Sequence, residues 1–93
     1  MKYTIKRSGK FKKSFKLALK RGKDPQLLSD ALNILAEKGS LPKEYLPHVL
    51  SGNYNGIWEC HLEPDWLLLW QQYDDELILL LTDTGTHSDL FKK

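Results

Sequence analysis

A single cysteine, Cys60, stands among the 93 residues, so no internal disulfide can brace the chain. No apolar stretch is long enough to cross a bilayer. The longest uninterrupted runs, Trp66 to Trp70 and Leu77 to Leu81, span five residues each, against roughly 20 for a transmembrane helix. The basic N-terminus is not followed by an apolar segment of signal-peptide length, which sets the expectation of a cytoplasmic protein with no membrane partner. There is no internal repeat, low-complexity tract or linker, and the length suits one domain over residues 1–93. The most informative absence is of acid. Residues 1–23 hold ten bases (Lys2, Lys6, Arg7, Lys10, Lys12, Lys13, Lys16, Lys20, Arg21, Lys23) and neither Asp nor Glu, whereas the remainder holds four bases and twelve acids. The formal charge of +2 is therefore the sum of +10 and −8, and the first quarter of the chain is an arm suited to polyanions.

The patterning predicts an α+β domain, an N-terminal strand and two helices packed on a mainly antiparallel sheet. Lys2 to Ser8 alternates Tyr3 and Ile5 with polar residues, the signature of a half-exposed strand. From Gly9 to Arg21, Phe11, Phe15, Ala18 and Leu19 fall on one helical arc and Lys12, Lys13, Lys16 and Lys20 on the other. Asp24 before Pro25 starts a second helix, with Leu27, Leu28, Ala31, Leu32 and Leu35 as its apolar stripe and Lys38-Gly39 as its end. A loop with Pro42 and Pro47 and the turn-forming stretch Ser51 to Gly56 lead to a strand over Ile57 to Leu62. Two further strands, Trp66 to Tyr73 and Glu76 to Thr82, are apolar enough to lie centrally in the sheet.

Alternation along the Ile57 strand places Ile57, Glu59 and His61 on one side and Trp58, Cys60 and Leu62 on the other. His87 follows the last strand. If that strand neighbours the one ending at Asp65, then His61, Asp65 and His87 meet at one rim of the sheet. Imidazole is suited to moving protons near neutral pH, and a carboxylate beside it fixes the ring and stabilises its charged form. Cleavage of RNA needs little more, because the 2′-hydroxyl beside the scissile phosphate is a built-in nucleophile. The protein has only to remove its proton, protonate the leaving 5′-oxygen and stabilise charge on phosphorus. No cofactor or metal is called for, and the histidine separations of 13 and 26 residues match no close zinc-ligand pair.

From His48 onward the chain resembles the YafQ-like branch of the RelE/ParE toxin superfamily. The resemblance rests on His48, Leu50-Ser51-Gly52, Tyr54, Gly56, Glu59-Cys60-His61, Glu63-Pro64-Asp65-Trp66 and Thr84-Gly85-Thr86-His87-Ser88-Asp89-Leu90-Phe91. It extends over nearly the whole chain, because the Lys/Phe-rich helix and the Leu-rich helix also come in family order. It implies a RelE-like fold with four to five strands and a ribosome-dependent mRNA endonuclease of a type II toxin-antitoxin system, held inactive by a cognate antitoxin. It carries over His48, His61, Asp65 and His87 as the catalytic set. His87 is the leading general acid, His48 or His61 stands nearer the base role, and Phe91 holds the RNA or the shape of the site. Lys10, Lys12, Lys13, Lys16 and Lys20 are the candidate contacts to RNA or ribosome. Two positions depart from the family pattern: the arginines expected before Glu59-Cys60-His61 and before Thr84-Gly85-Thr86-His87 are Trp58 and Asp83.

Plainer roles stand beside these. Asp65 is also a turn cap, Phe91 a core plug, Glu59 a solvated cross-strand partner, and the lysine face an ordinary solvated face. Cys60, facing away from His61, reads as packed rather than reactive. The alternative function is a RelE-fold module that binds an antitoxin or ribosomal RNA without cleavage, which the missing arginines favour.

Overall fold

Local chemistry accounts for the first two helices. The computed structural model describes residues 2–91 and opens with strand β1 (Thr4–Arg7). Helix α1 (Gly9–Lys20) begins where the Ser8 hydroxyl accepts the Phe11 amide at 3.0 Å, satisfying one of the otherwise unpaired N–H groups of the first turn. Helix α2 (Pro25–Lys38) is capped by Asp24, whose carboxylate accepts the Gln26 amide at 2.9 Å. It ends at Gly39, which adopts φ 71° and leaves no room for a side chain, since a Cβ there would lie 2.8 Å from the Tyr3 ring. The buried stripes are those the spacing predicts, with one exception. Leu19 is 41% exposed, because it lies about 100° round the helix from the buried Ala18 and falls outside the narrow seam of Phe11, Phe15 and Ala18.

Five strands form one sheet in the order β1-β5-β4-β3-β2. Strands β2 (His48–Val49), β3 (Trp58–Glu63), β4 (Trp66–Tyr73) and β5 (Ile78–Gly85) pair antiparallel in sequence order, and β1 joins β5 in parallel. The α+β expectation therefore holds, and the two most apolar strands are interior. Alternation along β4 divides the molecule into two unequal layers. Trp66, Leu68 and Trp70 join Cys60, Leu79, Leu81 and the helices in the main core. Leu67 and Leu69 point the other way, where Leu50, Ile57, Leu90 and Phe91 are the described apolar residues packed with them. This second face is thinly roofed by a loop and by the single-turn helix α3 (His87–Phe91).

Four boundaries differ from the sequence reading. Strand β5 does not neighbour β3: β4 lies between them, because each short connection of the meander pairs consecutive strands. It begins at Ile78 rather than Glu76, since Leu77 sits in the turn with φ 54°, and it continues through Gly85. His48–Val49, read as loop, pairs with Trp58 and Glu59 as an edge strand. Residues 87–91, given no element in the sequence reading, are helical.

The two core tryptophans are not equivalent. Trp70 Nε1–H donates to Gln72 Oε1 at 3.0 Å, whereas the buried Trp66 Nε1–H has no partner among the described residues. Trp70→Phe should therefore destabilise the protein by about 1 kcal/mol more than Trp66→Phe, the net worth of one hydrogen bond. Urea denaturation of the two variants measures the difference, and equal losses would show that the indole hydrogen bond contributes nothing.

Candidate active site

Strand register builds the site. His48 lies opposite Glu59, Glu59 opposite Leu69, and His61 opposite Leu67. Glu59 and His61 consequently project onto the thinly covered face, away from Cys60 and Trp58, as the period of two requires. Glu59 is only 5% exposed. Its Oε1 stands 3.1 Å from His48 Nε2 and 3.8 Å from His61 Nε2. The expectation of a solvated Glu59 is thus overturned, because imidazoles from two neighbouring strands flank it. The other nitrogen of His48, Nδ1, donates to the Leu46 carbonyl at 2.9 Å.

Asp65, in the turn between β3 and β4, connects this strand pair to α3. Its Oδ1 accepts the His87 backbone N–H at 2.9 Å and the His87 Nδ1–H at 2.6 Å. The His87 amide, and then its ring, holds the Asp65 carboxyl below the usual carboxylate range. Nδ1 being committed, Nε2 is the atom of His87 left to exchange protons. The His87 ring lies 5.8 Å from the His61 ring, centroid to centroid, and 6.5 Å from Phe91. Phe91 packs edge-on against Tyr54 at 5.1 Å, and the Tyr54 hydroxyl donates to the Leu90 carbonyl at 3.2 Å. A continuous line of contacts runs from His48 through Glu59, His61 and His87 to Asp65. A depression of about 390 Å³ adjoins it, walled by Leu46, His61, Leu62 and Pro64, with Glu44 and Glu63 at its margin.

Helix α3 is short, and reciprocal capping holds it. Thr86 Oγ1 accepts the Asp89 amide at 3.1 Å, and Asp89 Oδ2 accepts the Thr86 amide at 3.0 Å. Arg21, at the end of α1, grips the same carboxylate through Nη1 at 2.6 Å and Nη2 at 3.4 Å. Arg21 foremost, then the Thr86 amide, brings the Asp89 carboxyl down to about 2. Gly85 is required here because a Cβ would meet that of Asp89 at 2.9 Å. The spacing Thr86-x-x-Asp89 was the legible signal for this helix, whereas nothing local pointed to Arg21.

The lysines lie elsewhere. Lys12, Lys13, Lys16 and Lys20 are exposed on α1, which packs in the main core on the face opposite the histidines. Lys10 is 3.5 Å from Asp83, so Asp83 is engaged by a cation of α1. Trp58 stacks on Trp70, with ring centroids 5.8 Å apart, on the helix side of the sheet. Cys60 is buried, and burial pushes its thiol up to about 12, which suits packing and not nucleophilic chemistry.

The depressed Asp89 makes a prediction with a definite sign. A lowered folded pKa contributes stability that is full above the unfolded value and is lost as pH falls through the folded one. Between about pH 5 and pH 2, wild type should lose stability more steeply than Asp89→Asn. Urea denaturation across that window checks it, and parallel curves would count against the Arg21 pairing.

Comparison with known proteins gives a consistent picture. The chain is 39% identical over 88 residues to the mRNA interferase toxin YafQ of Escherichia coli K12, covering 94% of each sequence. The structure of YafQ from E. coli BL21(DE3) superposes with a TM-score of 0.87 at 37% identity, covering 96% of this chain and 98% of that one. The E. coli DinJ-YafQ complex superposes with a TM-score of 0.85 at 38% identity and the same coverage. Residues 3–92 match the family described as the bacterial toxin of the type II toxin-antitoxin system, YafQ, and the chain belongs to that family.

Proposed function

We propose that the protein is the toxin of a type II toxin-antitoxin pair, an endoribonuclease that cuts mRNA in the decoding site of the ribosome and so stops translation. The observation that carries this reading is His87, oriented by Asp65 and lying 5.8 Å from His61, on the open face of the sheet. Its support from kinship is the 39% identity to an mRNA interferase toxin. The reaction would use the RNA 2′-hydroxyl: a base takes its proton, the 2′-oxygen bonds to phosphorus, and the P–O5′ bond breaks as an acid protonates the 5′-oxygen. The products are a 2′,3′-cyclic phosphate and a free 5′-hydroxyl. His87, with Asp65 stabilising its charged form, is the acid, and His61 is the group placed to act as base. Apolar walls at Leu46, Leu62 and Pro64 beside His61 suit a base of the substrate, and Phe91 holds α3 in place through Tyr54.

Lys12, Lys13, Lys16 and Lys20, on the opposite face, fit phosphates of ribosomal RNA better than the scissile strand. The E. coli relative is found in complex with the antitoxin DinJ, and a cognate antitoxin is the expected partner here. Its acidic segments would suit the basic arm, folding as they bind. Action in the cytoplasm follows from a ribosomal target, and no helix among the described residues is long and apolar enough to cross a membrane.

One observation favours the alternative of binding without cleavage: the expected arginines are Trp58, stacked in the core, and Asp83, paired with Lys10. Mapping mRNA 5′ ends after induction separates the two. Wild type should create new ends inside translated codons and His87→Ala should lose about 10²–10⁴-fold of them. Growth arrest that persists in His87→Ala without new ends would establish the binding module instead. Replacing Lys12, Lys13 and Lys16 with alanine should weaken ribosome binding and flatten its salt dependence, with a loss in slope of about 0.7 per phosphate contact for single strands; an unchanged slope would remove these lysines from the interface.

A further inference from the structure

Three histidines face this site, yet their ring nitrogens are not equally free. Nδ1 of His48 meets a carbonyl oxygen, that of Leu46, at 2.9 Å. A carbonyl only accepts, so Nδ1 carries a proton committed to it. Nε2 of His48 meets Glu59 Oε1 at 3.1 Å. Whichever of that pair holds the proton, it is shared between them. Both nitrogens of His48 are therefore occupied, although the ring itself is half exposed. His87 differs, since Asp65 takes only Nδ1, and among the described residues Nε2 makes no hydrogen bond. His61 differs as well: its Nε2 lies 3.8 Å from Glu59, outside hydrogen-bond reach, and Nδ1 has no partner among the described residues.

The geometry points to Glu59 and His48 as a positioning pair for His61, leaving proton transfer to His61 and His87. This rests on the nuclease reading above and deepens it. Glu59 is buried beneath two imidazoles, and a buried carboxylate without partners is costly. His48 supplies the close partner, fixing the carboxylate through Nε2 while the Leu46 carbonyl fixes the ring through Nδ1. The carboxylate so fixed presents the same oxygen to His61 across the strand face. His61 is then oriented from one side by Glu59, with His87 and its Asp65 on the other. The result is two carboxylate-supported imidazoles facing each other, with a third imidazole serving as the anchor of one support. Leu46, whose carbonyl meets His48 Nδ1, itself adopts a positive φ of 51°.

The charged groups around this cluster are Glu59 on β3, Asp65 in the following turn, and Glu44 and Glu63 at the margin of the depression beside His61. Glu63 is held by Lys23 at 2.8 Å and Asp89, behind His87, by Arg21. Of these only Glu59 touches His48, whose other partner among the described residues is the Leu46 carbonyl.

The test is single-turnover cleavage of mRNA on programmed ribosomes from about pH 5 to pH 9, for wild type and variants. His61→Ala and His87→Ala should each remove a limb of the pH–rate profile. His48→Ala should keep both limbs where they are and lower the rate roughly 10- to 100-fold, the cost of a misplaced catalytic group. Glu59→Gln should lower the rate to a similar extent, and His48→Ala added to Glu59→Gln should cost nothing further, since the two act as one unit. Loss of a limb in His48→Ala, or losses that multiply in the double variant, would overturn the assignment. A second measurement does not depend on cleavage, and so separates this inference from the nuclease reading. In ring-nitrogen NMR of the free protein, Glu59→Gln should displace the resonances of both His48 and His61 and leave those of His87 in place. Movement of His48 alone would refute the support of His61, even if wild type proved to be an active nuclease.

Discussion

One carboxylate oxygen joins the two halves of this site. Oδ1 of Asp65 accepts from the backbone and from the ring of His87, so the turn between β3 and β4 and the start of α3 become one piece. Without that contact α3 would be a single helical turn at the end of the chain, far too short to be stable by itself. With it, and with the Arg21–Asp89–Thr86 grip on the other side, the turn has a fixed position from which His87 faces His61. Contacts of this kind preorganise a side-chain cluster on a small domain, which has few residues to spare for holding it otherwise.

The site occupies the poorer half of the molecule by necessity. Helices α1 and α2 cover one face of the sheet with a cluster containing Phe11, Leu35, Trp66 and Trp70. Nearly all the apolar mass is spent there. Among the described residues the opposite face buries only three apolar side chains, Leu67, Leu69 and Leu90, which leaves His48 and His61 on β2 and β3 partly open to solvent. The main core and the histidine cluster thus lie on opposite sides of one sheet, and β4 separates them by plain alternation. Charge follows the same division. The lysines of α1 look outward from the core side, while the histidines and their carboxylates share the open side.

Much of this was readable in advance. The cap at Asp24 and the stop at Gly39, the apolar stripes of the helices, and the common side of Glu59 and His61 follow from local rules that act over a few residues. The expected meeting of His61, Asp65 and His87 is seen in the structure, though by a different route: β4 intervenes between β3 and β5, and it is the β3–β4 turn that delivers Asp65. His48 was named, but the edge strand that carries it was hidden by the prolines around it. Lys10 and Asp83, 73 residues apart in sequence, gave no sign of their pairing.

By itself the sequence determined the segregation of charge, the types of the longer elements, and which side chains share a strand face, because each depends on composition or on a period of two or 3.6 residues. Only the tertiary structure decided that Glu59 is buried between two imidazoles, that Arg21 holds α3 through Asp89, and that Trp58 stacks on Trp70. Those outcomes depend on strand register and on which helix end lies over which turn. Contacts between distant segments are fixed when apolar faces close on one another, and no local spacing records that closure.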